Sequence, residues 1–299
     1  MLFRSVLPLF HAFAGSACLV HAIWAGSSLL LCDEFKPRDI LEAMARRGAT
    51  AFLGVPAMYA VLAQVETPPE IPTWRVCVSG GAPMTPAIHA AFHARYGLVI
   101  LEGDGPTECG PATSINPVDG ENKPGTIGLP LVDVQMKIVD DDMNELPNGE
   151  VGEIVVKSPS NFIGYLNQPE ATEATLVDGW VRTGDLGDRD DDGYFRILDR
   201  KKDLIIVGGL NVYSQEVEYY LSQYAGVREC AVVGVPDAVR GEVPVAYVVE
   251  ASPGVFDAAD ARSFLRERIA RYKIPKEFRT LDELPRNPTG KVMKSLLRS

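Results

Sequence analysis

Between residues 28 and 102, short apolar runs alternate with segments that carry helix-start and helix-stop signals. This alternation constrains the fold more than any other feature. Residues 28–32, 50–54, 75–79 and 98–102 read as strands. Residues 37–47, 57–65 and 86–96 read as helices. The first has Pro37 at its first turn, and the last has Thr85 as N-cap and Gly97 just past its end. Apolar strands in strict alternation with helices predict a parallel sheet covered on both faces. Ligands bind such sheets beyond the carboxyl ends of the strands. Two loops are expected there, Ser79-Gly80-Gly81-Ala82-Pro83 and Gly103-Asp104-Gly105-Pro106-Thr107-Glu108.

Ahead of the alternation, residues 6–32 contain no Asp, Glu, Lys or Arg, a stretch long enough to span a bilayer. Pro8, His11 and His21 interrupt it, and Ala25-Gly26-Ser27-Ser28 breaks its helical part. A buried core helix followed by a buried strand is the preferred reading, with a membrane span the alternative. The chain as a whole carries 40 Asp plus Glu against 29 Lys plus Arg, a formal charge of -11. That balance excludes a protein whose main task is gripping a nucleic-acid backbone. Cys18, Cys32, Cys77, Cys109 and Cys230 are sparse and form no C-x-x-C pair, which predicts reduced thiols and a cytoplasmic setting.

From Lys123 the texture changes. Residues 132–139, 150–157 and 194–198 alternate between Gly, Pro and Asp turns, as in a small β-barrel or a meander. After Asp203 comes an α+β pattern: a helix over 215–223, strands at 230–235 and 243–250, a helix from about Asp257, and a basic tail. The expected fold class is α/β: a parallel sheet with a small β-barrel in residues 1–201, then a small α+β domain in 202–299. Within the first part, 1–122 forms the α/β sheet and 123–201 the barrel.

Seven motifs follow in order. Pro8-Leu-Phe-His11 and Gly54-Val-Pro-Ala-Met-Tyr59 come first, then the two glycine loops. Trp180-Val-Arg-Thr-Gly-Asp185-Leu, Asp199-Arg200-Lys-Lys202-Asp-Leu-Ile-Ile-Val-Gly208-Gly209 and Pro285-Arg-Asn-Pro-Thr-Gly-Lys291 complete the set. Together they resemble the acyl-adenylate-forming (AMP-binding) superfamily, and most closely its acid–CoA ligases of the fatty-acyl-CoA synthetase type. The resemblance runs over essentially the whole chain.

Such enzymes attack the α-phosphate of ATP with a carboxylate, release pyrophosphate, and let a thiol displace AMP from the acyl-adenylate. The first transition state concentrates negative charge around phosphorus, so it calls for a cation, a metal and positioned donors. The resemblance implies Lys291 as that cation, Thr107 as a phosphate contact and Glu108 as a magnesium ligand. It implies Gly80, Gly81, Ala82 and Pro83 along the adenine, where missing side chains permit close backbone approach. Asp104 stands where the family usually has an aromatic residue near the adenine, and Pro106 where an aliphatic is usual. Asp185 and Arg200 match the ribose contacts, and His11 the mouth of the acyl pocket. Lys202 matches the hinge of a mobile C-terminal domain, and Gly208-Gly209 the face that this domain presents for thioester formation. Each assignment has a structural alternative: Lys291 a solvated tail lysine, Thr107 a turn cap, Asp185 a buried ion pair, His11 a satisfied core histidine.

Two further patterns invite metal readings. Asp188-x-Asp190-x-Asp192-Gly193 with Asp199 matches most of an EF-hand loop, but its flanks read as strand, so a polar hairpin turn is expected. His89 and His93 share one helix face with no third ligand in sight, so a helix surface is the better reading. The family's Ser/Thr/Gly-rich phosphate loop ending in Pro-Lys-Gly occurs nowhere in the 299 residues. The chain is therefore expected to be the C-terminal part of a ligase, truncated at its N-terminus, with apolar faces of the 6–32 segment exposed. The implied partners are a small carboxylic acid, fatty or aromatic, with ATP, Mg²⁺ and coenzyme A. Nucleic acid is not among them, and peripheral membrane association stays open. Two rival readings remain: adenylation with delivery to a carrier-protein thiol, and an inactive nucleotide-binding or interaction fragment.

Overall fold

The computed structural model describes residues 2–5, 7–32, 34–287 and 291–298. The chain divides into two compact units, Met1–Thr183 with Gly187–Ile197, and Gly184–Leu186 with Leu198–Ser299.

In the first unit the predicted alternation builds a sheet of seven strands. These are β1 (Leu2–Ser5), β2 (Ser28–Leu31), β3 (Ala51–Gly54), β4 (Val76–Ser79), β5 (Ile100–Asp104), β6 (Ser114–Ile115) and β7 (Leu129–Pro130), in the order β2-β1-β3-β4-β5-β6-β7. β1 to β5 run parallel, and β6 and β7 continue the sheet antiparallel. Strand β1 is absent from the sequence reading, because four residues without flanking turn signals carry too little pattern. It nevertheless inserts between β2 and β3, pairing Phe3 with both Leu29 and Ala51.

A short helix α1 (His21–Trp24) precedes α2 (Pro37–Arg47), α3 (Pro56–Ala63) and α4 (Pro86–Tyr96). The expected caps of α4 are in place: Gly97 adopts the left-handed conformation, and the Thr85 hydroxyl accepts the Ile88 N–H at 3.4 Å; Gly48 ends α2 in the same left-handed way. α2, α3 and α4 bury Ile40, Leu41, Met44, Tyr59, Leu62 and Phe92 against Phe52, Cys77 and Ile100 of the sheet. Tyr59 packs edge-on against Phe52 and Phe92, with ring centroids 5.5 and 5.1 Å apart.

The other sheet face meets a π-wound helical turn, Phe13–Val20, that runs on into α1. Here the expectation of a buried helix needs correction. Ala14, Cys18 and Ala22 are buried, but Val20, Ile23 and Trp24 are 60%, 69% and 83% exposed. Leu31 on the neighbouring edge strand is also exposed. The small residues and Phe13 of this segment pack toward the sheet, and Val20, Ile23 and Trp24 form the exposed face expected of it. No helix among the described residues is long and apolar enough to cross a membrane.

The β-rich part comprises β8 (Gln135–Val139), β9 (Gly152–Lys157), β10 (Leu176–Val177), β11 (Trp180–Arg189) and β12 (Phe195–Arg200), with α5 (Pro169–Thr175) beside it. The sheet order is β10-β11-β9-β8, and β12 pairs with β11. Among the described residues no pairing closes this sheet, and an isolated bridge joins Gly128 to Phe195 of β12. Ile138, Ile154, Val156, Val181 and Phe195 fill its core.

The second unit holds β13 (Ile205–Val207), β14 (Leu210–Val212), α6 (Ser214–Leu221), β15 (Val227–Asp237), β16 (Gly241–Glu250), α7 (Ala258–Arg266) and β17 (Glu277–Thr280). The sheet order is β14-β13-β16-β15, with β17 parallel to β16. Alternation along β15 and β16 sends Val232, Ala246 and Val248 toward α6 and α7. It sends Ala231, Val233, Val245 and Tyr247 toward Leu284 and Leu297 of the C-terminal tail. These two leucines anchor the tail, while Lys291, Met293 and Leu296 stay exposed. The Asp257 side chain caps α7 by accepting the Ala259 and Asp260 N–H groups, each at 2.8 Å.

Candidate active site

The parallel register aligns Gly54, Ser79 and Glu102 in one row at the carboxyl ends of β3, β4 and β5. The two glycine loops leave the sheet from this row, where the topology places a ligand site. A Cβ on Gly80 would lie 3.2 Å from the Gly103 carbonyl oxygen and 3.7 Å from the Phe13 ring. The two loops and the N-terminal segment thus approach closely, and a side chain at Gly80 would require the Gly103 carbonyl to give way by a few tenths of an ångström. His11 belongs to the same segment, and its Nδ1 accepts the Phe13 N–H at 3.2 Å. The structure brings Phe13, Gly80 and Gly103 into one neighbourhood, with His11 two residues before Phe13; Gly81 turns there with φ +78°, ahead of Ala82 and Pro83.

Ser79 and Ser114 are each 2% exposed, and neither hydroxyl has a hydrogen-bond partner among the described residues. A buried polar group left unsatisfied costs about 1–3 kcal/mol. Two such groups beside the loops fit a site that receives a polar ligand. Asp104 ends β5, and its carbonyl accepts both the N–H and the hydroxyl of Thr113, at 2.9 and 3.0 Å.

Thr107, Glu108 and Cys109 form a single 3₁₀ turn that buries Cys109, leaves Thr107 exposed and half-buries Glu108. Glu108 is held from two directions. Its carbonyl accepts the Phe162 N–H at 2.8 Å, and its Oε1 accepts the Tyr165 hydroxyl at 2.7 Å. Burial and the neighbouring carboxylate both push the Tyr165 phenol above its usual pKa, so the hydroxyl keeps its donor proton. Tyr165 escaped the sequence reading because 57 residues separate it from Glu108. The only local signal was a Gly-Tyr pair in a loop. Among the described residues no group of three or more His, Cys, Asp or Glu could hold a metal ion. One carboxylate is nonetheless the usual protein share for Mg²⁺, whose other ligands are water and substrate phosphates. Glu108 therefore fits that ion.

Both metal-like decoys resolve as structural. Asp188 pairs with Arg196, and Asp190 and Asp192 with Lys123. Asp190 Oδ1 also accepts the Asp192 and Tyr194 N–H groups, which closes the hairpin. His89 Nε2 lies 2.9 Å from Glu102 Oε1, and His93 Nδ1 lies 3.3 Å from the Leu98 carbonyl.

In the second unit Arg200 Nε lies 3.0 Å from Asp185 Oδ1. The two ribose candidates are thus brought together, in the same ion pair that a purely structural role would give. Lys202 sits in the 3₁₀ turn Lys201–Asp203, and its carbonyl accepts Arg298 Nη2–H at 2.8 Å. Gly208 and Gly209, at φ +58° and +83°, make the exposed turn between β13 and β14. Lys291 donates its backbone N–H to Asn287 Oδ1 at 2.9 Å and accepts the Asn287 N–H at 3.0 Å. The adjoining Thr289 and Gly290 of the seventh motif lie outside the described residues.

A parallel sheet with glycine loops and an acidic turn at its carboxyl ends, followed by a small α+β unit, defines a nucleotide-binding class. The chain belongs to the AMP-binding enzyme family: that family's model matches residues 3–166, and the model of its C-terminal domain matches residues 216–291. It is 38% identical over 300 residues to the long-chain-fatty-acid–CoA ligase of Salmonella typhimurium, covering 98% of this chain and 53% of that one. It is 39% identical over 295 residues to a feruloyl-CoA synthase of an Amycolatopsis species, covering 97% and 60%. Among solved structures it superposes on ATP-bound MatB from Rhodopseudomonas palustris with a TM-score of 0.93 at 38% identity, covering 99% and 59%. The chain spans about half the length of the curated relatives it matches.

Proposed function

We propose that the protein activates a carboxylic acid, fatty or aromatic, with ATP and passes the acyl group to coenzyme A. One observation carries this reading. The Glu108 turn and the Gly80 loop leave adjacent parallel strands at their carboxyl ends, beside orphaned buried hydroxyls. The activities for which the relatives are named support it. In the first step a substrate carboxylate oxygen bonds to the α-phosphorus, and the bond to pyrophosphate breaks with its electrons on the leaving group. In the second, a thiolate bonds to the acyl carbon, and the bond to AMP breaks. Mg²⁺, when held by Glu108, would neutralise phosphate charge.

In this reading the Gly80-Gly81-Ala82-Pro83 backbone and Asp104 border the adenine, and Thr107 donates to phosphate. Asp185 accepts from the ribose hydroxyls while Arg200 holds its carboxylate, and His11 borders the acyl group. Lys291 supplies the cation opposite the charge that grows on phosphorus. Lys202 is the hinge residue, and the Gly208-Gly209 turn offers backbone to the coenzyme A arm. The sparse cysteines support a cytoplasmic setting.

The test is Lys291→Ala in the full-length protein, read in two half-reactions. Acid-dependent pyrophosphate release is expected to fall by about 10²–10³, as for loss of one charge-stabilising group. Thioester formation from supplied acyl-adenylate should stay within about twofold, since it does not use that cation. Equal loss in both halves refutes the assignment of Lys291. Turnover with a carrier-protein thiol in place of coenzyme A, or absence of pyrophosphate release in the wild type, overturns the proposed reaction.

A further inference from the structure

Helix α6, the end of β12 and the C-terminal tail meet in a buried charged network that no role above uses. Asp199 and Ser214 are fully buried. The Glu218 and Lys294 side chains are only 20% and 16% exposed. Lys294 Nζ lies 2.6 Å from Glu218 Oε1 and donates to Ser214 Oγ at 2.7 Å. The Ser214 hydroxyl in turn donates to Asp199 Oδ1 at 3.1 Å, and the Ser214 N–H donates to the same carboxylate. Glu218 Oε1 also accepts the Val232 N–H at 2.6 Å, which ties the network to β15. Burial raises the pKa of both carboxyls, and the Lys294 ammonium opposes that rise in each. One cation thus serves two buried acids.

We propose that Lys294 is a positioning residue for adenylation: as shared counter-ion of Glu218 and Asp199, it fixes the tail that carries Lys291 and sets where that ammonium is delivered. The inference rests on the adenylation reading. Lys294 follows Lys291 by three residues, so their Cα atoms lie at most about 11 Å apart. Between them the Met293 N–H bonds to the Pro285 carbonyl at 2.8 Å, and the Lys291 backbone is bonded to Asn287. Beyond them Leu297 is buried, and Arg298 bonds to the Lys202 carbonyl and pairs with Asp203. The tail therefore grips the hinge turn and α6 within the same unit. A tail freed from Lys294 would let Lys291 wander, and a misplacement of about 1 Å can cost roughly 10²-fold in rate.

The experiment compares wild type, Lys294→Arg, Lys294→Met and the charge-balanced double variant Glu218→Gln/Lys294→Met, all in the full-length protein. The double variant keeps side-chain shape and the acceptor for Val232, so it retains a folded state if the single change does not. Amide exchange at Lys291 and Met293 is expected to rise about tenfold or more in the double variant. Acid-dependent pyrophosphate release should fall at least about tenfold while thioester formation from supplied acyl-adenylate stays within about twofold, and Lys294→Arg should restore most of the loss. Unchanged exchange overturns the proposal, and so does equal loss in both half-reactions, which is what a merely structural role gives. An active wild type with unaffected variants overturns this proposal alone. A wild type that releases no pyrophosphate with the acids tested overturns the adenylation reading and the proposal with it.

Discussion

Removing the Tyr165 hydroxyl tests whether Glu108 is a tuned ligand or an ordinary surface acid. In Tyr165→Phe the ring remains in place against Phe162, with centroids 4.8 Å apart, so the fold loses little packing. What disappears is the 2.7 Å hydrogen bond to Glu108 Oε1. A hydrogen bond to a charged group contributes ~1.5–3 kcal/mol, and the half-exposed carboxylate places this one near the low end. About 1.4 kcal/mol corresponds to tenfold in an equilibrium constant. The assay is a Mg²⁺ titration of acid-dependent pyrophosphate release with ATP in excess. The half-saturating Mg²⁺ concentration should rise about tenfold, while the rate at saturating Mg²⁺ returns to within about twofold of wild type. Because the Tyr165 phenol is raised above its usual value, the donor proton stays on through neutral and mildly basic pH. The wild-type Mg²⁺ dependence should therefore gain no step there from Tyr165. A variant with unchanged Mg²⁺ dependence, or one whose lost rate extra Mg²⁺ does not restore, refutes the reasoning.

Three further expectations follow from the same geometry. Gly105→Ala would set a Cβ 2.1 Å from the Pro111 carbonyl oxygen; overpacking of this kind costs about 1–3 kcal/mol, and ATP-dependent stabilisation in a thermal melt should shrink or vanish. Tyr59→Phe removes a hydroxyl that lies 2.9 Å from both the Phe52 and the Val78 carbonyls, bridging β3 and β4; it should cost ~1–2 kcal/mol, lowering Tm by roughly 3–5 °C, and an unchanged Tm would show the bridge to be idle. Asp237 is held well below the usual carboxylate range by Lys276 and by the Val239 and Arg240 N–H groups. Its folded-state pKa is depressed, so its contribution is present above an unfolded value near 4 and is lost as pH falls through the folded one. Asp237→Asn should flatten the acid limb of unfolding below about pH 4, as read by circular dichroism, and an identical limb would refute the assignment.

The parts of this fold that were legible in the sequence are those that short-range physics decides. Pro at a first turn, a threonine cap and a glycine stop delimit α2 and α4 to the residue, because each acts within one turn of the chain. The carboxyl-end loops were legible for a topological reason, since a parallel sheet leaves its ligand site nowhere else. The aspartate-rich hairpin was readable as a hairpin because Tyr194 to Leu198 alternates as a strand does. What escaped is decided over long separations. β1 is defined by its two neighbours, not by its own four residues. The helical turn before β2 looked buried by composition, yet the sheet covers only one side of it and leaves Val20, Ile23 and Trp24 exposed. Tyr165 meets Glu108, and Lys294 meets Ser214, across separations that no spacing rule records.

Under the proposed function the two units hold candidate residues of different charge. In the first unit the candidate residues are neutral or acidic: His11, the Gly80 to Pro83 backbone, Asp104, Thr107 and Glu108. They can shape a site, hold a metal and border a base, but none neutralises a polyphosphate in a chain of net charge -11. The cationic candidates, Arg200, Lys202 and Lys291, all belong to the second unit. Within it Arg200 pairs with Asp185, the Lys202 carbonyl accepts from Arg298, and the Lys291 backbone is bonded to Asn287. Perturbing the first unit should therefore show mainly in nucleotide and metal affinity, as argued for Tyr165. Perturbing the second should show mainly in the rate of the step where charge develops, as argued for Lys291. That split reflects which unit holds the groups that differ in strength between ground state and transition state.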